Sequence, residues 1–414
     1  MHISIFKACA IVLWFGLLTL ACSSMPGIAT AQSTTGTLTG GDQGSKSSTA
    51  SSPSVWRVGP GRTISAPGQA ARRAGDGDVI EIDAGLYHND HAVWTQDDIT
   101  IRGVGGPAHL RSSGLIPNGK AIWIIKGHNV LIEHVEFSGA AVVHTNGAGI
   151  RHEGGDLTLR HTFFHDNEFS VLSGRLPEAT ITVESSRFWH QKRPTRHSHG
   201  IYIGAAHRLN LVGSHFKGTD LGHQVKSRAL HNYILYNRIE DVDGGNSSRL
   251  IDLPNCGLSV VMGNDLHQGI DTENSNAIGY GPEGCEGRDG YYRQLFVVNN
   301  TFINEATGGQ FVRNFTTGDV LVANNLVVGR AVMLKGGGVA RDNFRTDLQW
   351  QPARRWRLPR THLAIDAAVP LRGPRDLSLL PTREFALPAG TRPRATDGSI
   401  DLGSREWTSD SASE

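Results

Sequence analysis

Residues Leu221–Asn255 read LGHQVKSRALHNYILYNRIEDVDGGNSSRLIDLPN and contain the pattern that decides the fold. Within them, Asn232–Ile239 (NYILYNRI) has the apolar alternation of a half-buried strand. The short runs QVKSRA and SRLIDLPN lie at matching places upstream and downstream of it. The segment therefore reads as one coil of a stacked β-solenoid followed by the start of the next coil.

Eight runs of this kind recur along the chain, and their last residues are spaced by 27, 24, 28, 23, 27, 36 and 25 positions. A period in the twenties predicts a solenoid, in which each coil buries its apolar side only against its neighbours. The last residues of the runs are Phe137, Phe164, Phe188, Phe216, Ile239, Leu266, Phe302 and Val327. The sixth residues of the later runs are Asn237, Asn264, Asn300 and Asn325. Stacked Asn at one turn predicts a structural hydrogen-bond ladder.

The composition agrees with a fold made of many short strands and turns, because the chain has 50 glycines among 414 residues. We predict an all-β, single-stranded, right-handed parallel β-helix over 56–345. A short helix at Pro67–Ala74 is expected to cap its open end. Residues 346–414 form an irregular C-terminal tail that packs back along the β-helix or caps it. Leucine-rich and helical repeats are disfavoured because Val, Ile, Phe and Asn dominate the runs.

The N-terminal segment resembles an export signal. Residues 1–31 combine Lys7, an apolar stretch at Ile11–Leu20 and the small-residue site Ala29–Ala31. Residues 32–55 form a Ser-, Thr- and Gly-rich flexible linker. We therefore expect a periplasmic or secreted protein whose mature form has no membrane span. The other interpretation is a lipoprotein signal with a lipid anchor at Cys22.

Charge and cysteine usage limit the partners further. The formal net charge is +1, from 40 Lys and Arg against 39 Asp and Glu, which argues against nucleic-acid binding. We expect a monomer. Cys256 and Cys285 flank part of the long 36-residue interval, which predicts a loop over the binding face. In an oxidising compartment they form a disulfide, and two unpaired buried thiols are the other interpretation.

A second set of short strands precedes the runs, and it carries polar residues. Successive coils lie about 4.8 Å apart, so residues at equivalent positions become direct neighbours. Aligned by their distance to the runs, the following residues share one outward row: Arg151, Tyr202, Lys226, Asp252 and Arg313. Three positions earlier stand His199, His223 and Arg249, and Arg228 follows Lys226 by two. This predicts a compact titratable patch.

The patch has the residue types that β-elimination beside a uronate carboxylate requires. A lysine flanked by other cations is favoured in its neutral form and can act as a base. A second cation must stabilise the negative charge that develops on the substrate. We predict that Lys226 is the base, that His223 or Tyr202 assists proton transfer, and that Arg228 and Arg249 neutralise the carboxylate. Asp252 completes the predicted catalytic group.

The chain resembles pectin-lyase-like β-helix proteins in GDGDVIEIDAGLY at 75–87, in repeated Asn-containing turns and in IDLGSREW at 400–407. The segment QVKSRALHNYILYNRI also resembles the lysine-bearing coil of the alginate lyase and chondroitinase B family. That resemblance maps the catalytic lysine onto Lys226. The family's arginine in the next coil is replaced here by Asp252, and Arg249 and Arg228 are the two candidates to take its place.

We therefore expect an exported carbohydrate-active protein, and most specifically a polysaccharide lyase that acts on an acidic glycan. His199, Arg249, Arg151 and Arg313 are the expected substrate-binding residues. A non-catalytic polysaccharide-binding solenoid and a glycoside hydrolase with paired carboxylates remain open. No cofactor is expected. Calcium is an open candidate because Asp241, Asp243, Asp271 and Glu273 supply oxygen donors near the patch.

Overall fold

The structure, a computed structural model, describes residues 52–191, 198–241, 246–347, 356 and 362–407. The predicted signal segment, most of the linker, Cys22 and Asp243 lie outside these residues. The described chain contains one short α-helix, α1 (Pro67–Ala71), and strands that follow one another around a solenoid. In chain order these are β1 (Val55–Val58), β2 (Val79–His88), β3 (Ala92–Trp94), β4 (Thr100–Arg111), β5 (Ala121–Ile125), β6 (Val130–Glu133), β7 (Val135–Ser138), β8 (Ala148–His152), β9 (Leu157–Arg160), β10 (Phe163–His165), β11 (Phe169–Ser173), β12 (Leu176–Glu184), β13 (Arg187–Gln191), β14 (His199–Ile203), β15 (Ala206–Val212), β16 (His215–Thr219), β17 (Val225–Ser227), β18 (His231–Leu235), β19 (Arg238–Glu240), β20 (Ile251–Leu253), β21 (Leu258–Met262), β22 (Asp265–Gln268), β23 (Asn276–Tyr280), β24 (Gln294–Val298), β25 (Thr301–Asn304), β26 (Gln310–Asn314), β27 (Asp319–Ala323), β28 (Leu326–Gly329), β29 (Val332–Lys335), β30 (Val339–Arg341), β31 (Phe344–Thr346), β32 (Arg383–Phe385) and β33 (Thr391–Pro393).

The strands form three parallel ladders, one on each face of the solenoid. Face 1 runs β1–β2–β4–β6–β9–β12–β15–β18–β21–β24–β27–β30. Face 2 runs β4–β7–β10–β13–β16–β19–β22–β25–β28–β31. Face 3 is a ten-stranded sheet in the order β3–β5–β8–β11–β14–β17–β20–β23–β26–β29. This arrangement confirms the predicted parallel β-helix.

The interior is filled by one side chain stacked on the next in consecutive coils. The eight run-end residues from Phe137 to Val327 are all register partners on face 2. Each is at most 1% exposed. Phe137, Phe164, Phe188 and Phe216 stack with ring centroids 4.4 to 5.3 Å apart. Such ring pairs contribute about 0.5–1.5 kcal/mol each beyond the burial of their area.

The predicted asparagine ladder is present at the turn between faces 1 and 2. The side-chain oxygen of Asn264 accepts the backbone N–H of Asn237 at 2.8 Å, and Asn300 and Asn325 repeat this contact. Upstream, Ser and Thr side chains bond in the same column, and Asn343 ends it. Because the ladder satisfies buried backbone donors in each turn, its role is structural.

Helix α1 and the C-terminal tail both contact the solenoid. Helix α1 is shorter than predicted and ends at Ala71. Beyond it, the Asp78 side chain accepts the Gly75 N–H at 2.8 Å in a turn that leads into β2. The buried residues of the helix pack beside the first coils, as expected of a cap. The C-terminal tail packs along the side of the solenoid and includes the hairpin β32–β33. Ser404 donates to Asp265 at 2.6 Å, which ties the tail to β22.

Candidate active site on face 3

Three predicted residues lie in one row on consecutive strands of face 3. Tyr202 on β14 is the register partner of Lys226 on β17, and Lys226 is the partner of Asp252 on β20. The residues on either side of Lys226, Val225 and Ser227, are fully buried in the interior. Side chains alternate along a strand, so Lys226 and its row partners point away from the interior. The structure therefore brings together the row that the sequence alignment predicted.

Asp252 is the centre of the patch and is bonded by three cationic or titratable side chains. Its carboxylate accepts from Arg249 Nη1 at 2.8 Å and lies 3.3 Å from Lys226 Nζ. His223 Nε2 lies 3.5 Å from Oδ2. Asp252 is only 1% exposed. A buried carboxylate with this set of partners orients its neighbours and is poorly placed to attack a substrate itself.

The histidines of the patch form a stack whose orientation is fixed by the backbone. The rings of His199 and His223 stack 5.2 Å apart. His199 Nδ1 accepts the backbone N–H of His223 at 2.9 Å, and His223 Nδ1 accepts that of Arg249 at 3.1 Å. The neutral form of His223 thus carries its proton on Nε2, the nitrogen that faces Asp252. This geometry places His223 against Asp252, and its predicted part in proton transfer stays a prediction.

A carboxylate that the sequence analysis did not single out, Glu283, covers the open side of the row. Arg228 Nη2 donates to both of its oxygens, at 2.7 and 2.9 Å. Lys226 Nζ donates to Glu283 Oε1 at 3.3 Å. Partial burial alone would raise the pKa of Glu283, but the bonds from Arg228 and the charge of Lys226 lower it below its usual value. Glu283 is therefore ionised at neutral pH.

The charged groups around Lys226 differ from those that the sequence predicted. Its nearest charged atoms belong to two carboxylates, Asp252 and Glu283, each 3.3 Å away. The sequence predicted cations around Lys226, whereas in the structure two carboxylates contact its amine.

Tyr202 stands beside both cations. Arg228 Nη1 donates to its hydroxyl at 2.5 Å, and the Arg228 guanidinium lies 5.0 Å from the ring centroid. Lys226 Nζ lies 5.8 Å from the same centroid. The hydroxyl is thus held in place by Arg228 beside the amine of Lys226.

Glu283 reaches the row because the predicted disulfide and main-chain bonds hold its loop. Cys256 and Cys285 are bonded, with their Cα atoms 5.3 Å apart. The Glu283 N–H donates to the Pro254 carbonyl at 2.9 Å, and Arg288 donates to the Arg228 carbonyl at 3.0 Å. The long interval is therefore a loop fastened over the site, as its spacing predicted.

The two outer arginines of the row lie apart from its centre. Arg151 contacts Glu153 at 3.3 Å and is separated from Tyr202 by Leu172 of β11. Arg313 is separated from Asp252 by Gly279 of β23.

Arg313 instead joins Arg249 at an aromatic ring. The guanidinium of Arg313 lies 4.5 Å from the centroid of Phe315, and that of Arg249 lies 5.6 Å from it. A Cβ at Gly279 would lie 2.8 Å from Arg249 Nε, so glycine leaves the space in which Arg249 lies. A cavity of about 280 Å³ adjoins this region, lined by Gly284, Cys285, Glu286, Arg293, Phe315, Thr316 and Thr317.

The oxygen donors of the predicted calcium site differ in their burial. Asp241 is buried, and its burial raises its pKa to about 6. Of its predicted companions, Asp271 is exposed and Asp243 falls outside the described residues. Within the described ranges, the group of three metal-type ligand atoms within 4.8 Å of one another is on face 2, at His109, Glu136 and His165.

Comparison with known proteins agrees with the geometry at the level of fold. No protein-family profile matches the sequence, and no curated protein sequence is similar to it. The structure of pectate lyase Pel9A aligns with a TM-score of 0.60 and 14% identity, covering 86% of this chain and 97% of that one. The chain has a pectin-lyase-like β-helix fold. An alginate lyase from Paenibacillus sp. str. FPU-7 aligns with a TM-score of 0.48 and 14% identity, covering 68% of this chain and 92% of that one.

At 14% identity the likeness to Pel9A extends to the fold alone, because one β-helix scaffold hosts many activities. The resemblance of the Lys226 segment to the alginate lyase family stays a sequence-based prediction. Among the described residues, no helix is long and apolar enough to cross a membrane. The predictions of export and of a lipid anchor at Cys22 concern residues outside the described ranges.

Proposed function

We propose that this protein is an exported polysaccharide lyase that cleaves an acidic, uronate-containing glycan by β-elimination. The observation that carries the proposal is that Arg228 and Lys226 already hold a carboxylate, that of Glu283, on an outward face of the β-helix. A uronate carboxylate has the same charge and the same pair of acceptor oxygens. It matches the guanidinium of Arg228 in the same two-bond geometry.

In the proposed reaction, the substrate carboxylate displaces Glu283 from Arg228. Neutral Lys226 then takes the C5 proton, and Arg228 stabilises the negative charge that spreads onto the carboxylate. The C4–O bond breaks, a C4–C5 double bond forms, and the leaving oxygen takes the proton of Tyr202. The proton on Lys226 then returns to Tyr202, so no external oxidant or reductant is needed.

The remaining residues of the patch position these three. Asp252 fixes Lys226 and Arg249, and His223 fixes Asp252. The surface continues toward the next sugar units through Arg249, Arg313 and Phe315. Cationic and aromatic side chains of this kind bind the carboxylates and the ring faces of an acidic glycan. His199 and Arg151 lie on the other side of the row as further contacts for the chain.

A non-catalytic polysaccharide-binding solenoid is the second candidate. It is favoured by the two carboxylates that lie 3.3 Å from Lys226 Nζ, because they engage the amine in ion pairs within the protein itself. A glycoside hydrolase is less well supported. The carboxylates beside Lys226 are those of Asp252 and Glu283, and Asp252 is buried and bonded by Arg249.

One experiment separates the candidates. The purified protein is incubated with a panel of uronate polysaccharides, with and without calcium, and three readouts are followed: ultraviolet absorbance of unsaturated products, reducing ends, and retardation in glycan-containing gels. A lyase gives absorbance and reducing ends in equal numbers. Reducing ends without absorbance indicate a hydrolase, and retardation without either product indicates a binding protein. Each of these two results would contradict the proposal.

A further inference from the structure

A second cluster of titratable side chains lies on face 2, away from the row of Lys226. His109 on β4, Glu136 on β7 and His165 on β10 come from three consecutive coils. His109 Nδ1 lies 3.3 Å and His165 Nε2 lies 3.0 Å from the same oxygen, Glu136 Oε1. The side chains are 23%, 18% and 21% exposed in that order, so an ion from solvent has access to them.

These distances agree with ligands that surround one small cation. Zinc binds imidazole nitrogen and carboxylate oxygen at about 2.0–2.2 Å, so neighbouring ligand atoms in a tetrahedral site are a little over 3 Å apart. The three atoms of the cluster all lie within 4.8 Å of one another. A bound ion would draw the three ligand atoms closer together, and the exposed side leaves a position for water.

The second nitrogen of each histidine is also placed as in a metal site. His165 Nδ1 lies 2.7 Å from Asp166 Oδ2, and His109 Nε2 lies 2.7 Å from Ser138 Oγ. Metal-bound histidines commonly place their other ring nitrogen against a carboxylate or another oxygen, which fixes the ring and makes the ligand more basic. An isolated surface His–Glu pair does not require this backing on both histidines.

The charges around the cluster do not prevent cation binding. Glu136 and Asp166 supply two negative charges. The positive charge of Arg187 acts on Glu136. The charges of Arg111 and His88 act on His109. Arg187 rests over the ring of Phe163, with its guanidinium carbon 4.1 Å from the centroid. The carboxylates thus balance the arginines.

We propose that His109, Glu136 and His165 form a binding site for one first-row divalent transition-metal ion such as Zn²⁺, which links three consecutive coils. Imidazole with carboxylate suits such ions, whereas calcium prefers oxygen ligands alone. The site is independent of the lyase proposal, because it shares no residue with the Lys226 row.

The test uses untagged, chelator-treated protein titrated with Zn²⁺ in competition with a chromophoric chelator, and thermal unfolding with and without Zn²⁺. We expect one Zn²⁺ per chain and a rise in Tm. Glu136→Gln and His165→Ala should each weaken binding at least tenfold and abolish the rise in Tm. Asp166→Asn should weaken it by about 10- to 100-fold, the usual effect of losing such a backing group.

The matched control is Glu133→Gln, which removes a carboxylate on the neighbouring strand β6 that pairs with Arg160. It should bind Zn²⁺ as the wild type does. Circular dichroism and the Tm without metal show whether each variant is folded. The proposal is overturned if the wild type binds no more tightly than folded Glu136→Gln, or if Asp166→Asn and Glu133→Gln have the same affinity.

Discussion

Lys226 and Asp252 are 26 positions apart in sequence, yet they are register partners on neighbouring coils, and Nζ of one lies 3.3 Å from Oδ2 of the other. The contact exists because each coil of the β-helix returns the chain to the same face. It joins the proposed base to the buried centre of the patch. The first three predictions follow from this pair and its surroundings.

Replacing Lys226 should abolish lyase activity without unfolding the protein. Lys226→Arg keeps a positive charge near Asp252 and Glu283 but cannot act as a base at neutral pH, because arginine stays protonated. We expect kcat to fall by about 10²–10⁴-fold, the usual contribution of a positioned base, with little change in Tm. Glycan retardation in gels should persist. Activity close to that of the wild type would exclude Lys226 as the base.

Removing the charge of Asp252 should destabilise the fold. Asp252→Asn leaves Lys226 and Arg249 without their buried counter-charge, and breaking a buried ion pair in this way costs about 3–5 kcal/mol. Urea denaturation should show this decrease in the free energy of unfolding. Asp271→Asn, at an exposed position, is the control and should change it by less than about 0.5 kcal/mol. Equal stabilities of the two variants would refute the central role of Asp252.

Glu283 should compete with substrate for Arg228. Glu283→Gln removes the carboxylate charge that pairs with the guanidinium of Arg228, so we expect a lower KM on a uronate substrate. Glu286→Gln removes the same charge from the same loop and serves as the matched control. A KM that is unchanged in Glu283→Gln, or that falls equally in the control, contradicts the displacement step.

Asp241 should make stability depend on pH. Its burial raises the pKa to about 6, above the ordinary value of 3.8. Between these pH values the folded chain holds a proton that the unfolded chain has lost, so the free energy of unfolding falls as pH rises through the window. Two pKa units correspond to a change on the order of 2–3 kcal/mol.

Thermal unfolding of Asp241→Asn at pH 4 to 7 checks this prediction, with Asp397→Asn, at an exposed position, as the control. The variant should lose most of the dependence and be more stable than the wild type at pH 7. If Asp241 helps to hold calcium, adding calcium at pH 7 should raise the Tm of the wild type and not that of Asp241→Asn. An identical pH profile in both variants would show that Asp241 is not the responsible group.

The sequence was sufficient to predict the fold and the registers because both depend on a repeat. The run ends from Phe137 to Val327 are apolar at a nearly constant period, and the same period places Tyr202, Lys226 and Asp252 in one row. The asparagine ladder could be predicted for the same reason. Each of these features needs only the knowledge that position n in one coil lies beside its equivalent in the next.

The features that were missed do not join equivalent positions of consecutive coils. Glu283 is in the loop that breaks the period, and its position over Lys226 depends on the Cys256–Cys285 disulfide and on main-chain bonds of the loop. The face 2 cluster was missed because His165 is the register partner of Ser138, so it meets Glu136 diagonally across the strands. An alignment of equivalent positions does not reveal diagonal contacts.

The most direct test of the account is the rate at which ultraviolet absorbance of unsaturated uronate appears when the wild type and Lys226→Arg act on the glycan that the protein retards best. The account predicts a steady increase with the wild type and a loss of at least a hundredfold in the folded variant. Equal rates, or no unsaturated product from a glycan that the wild type binds, would contradict it.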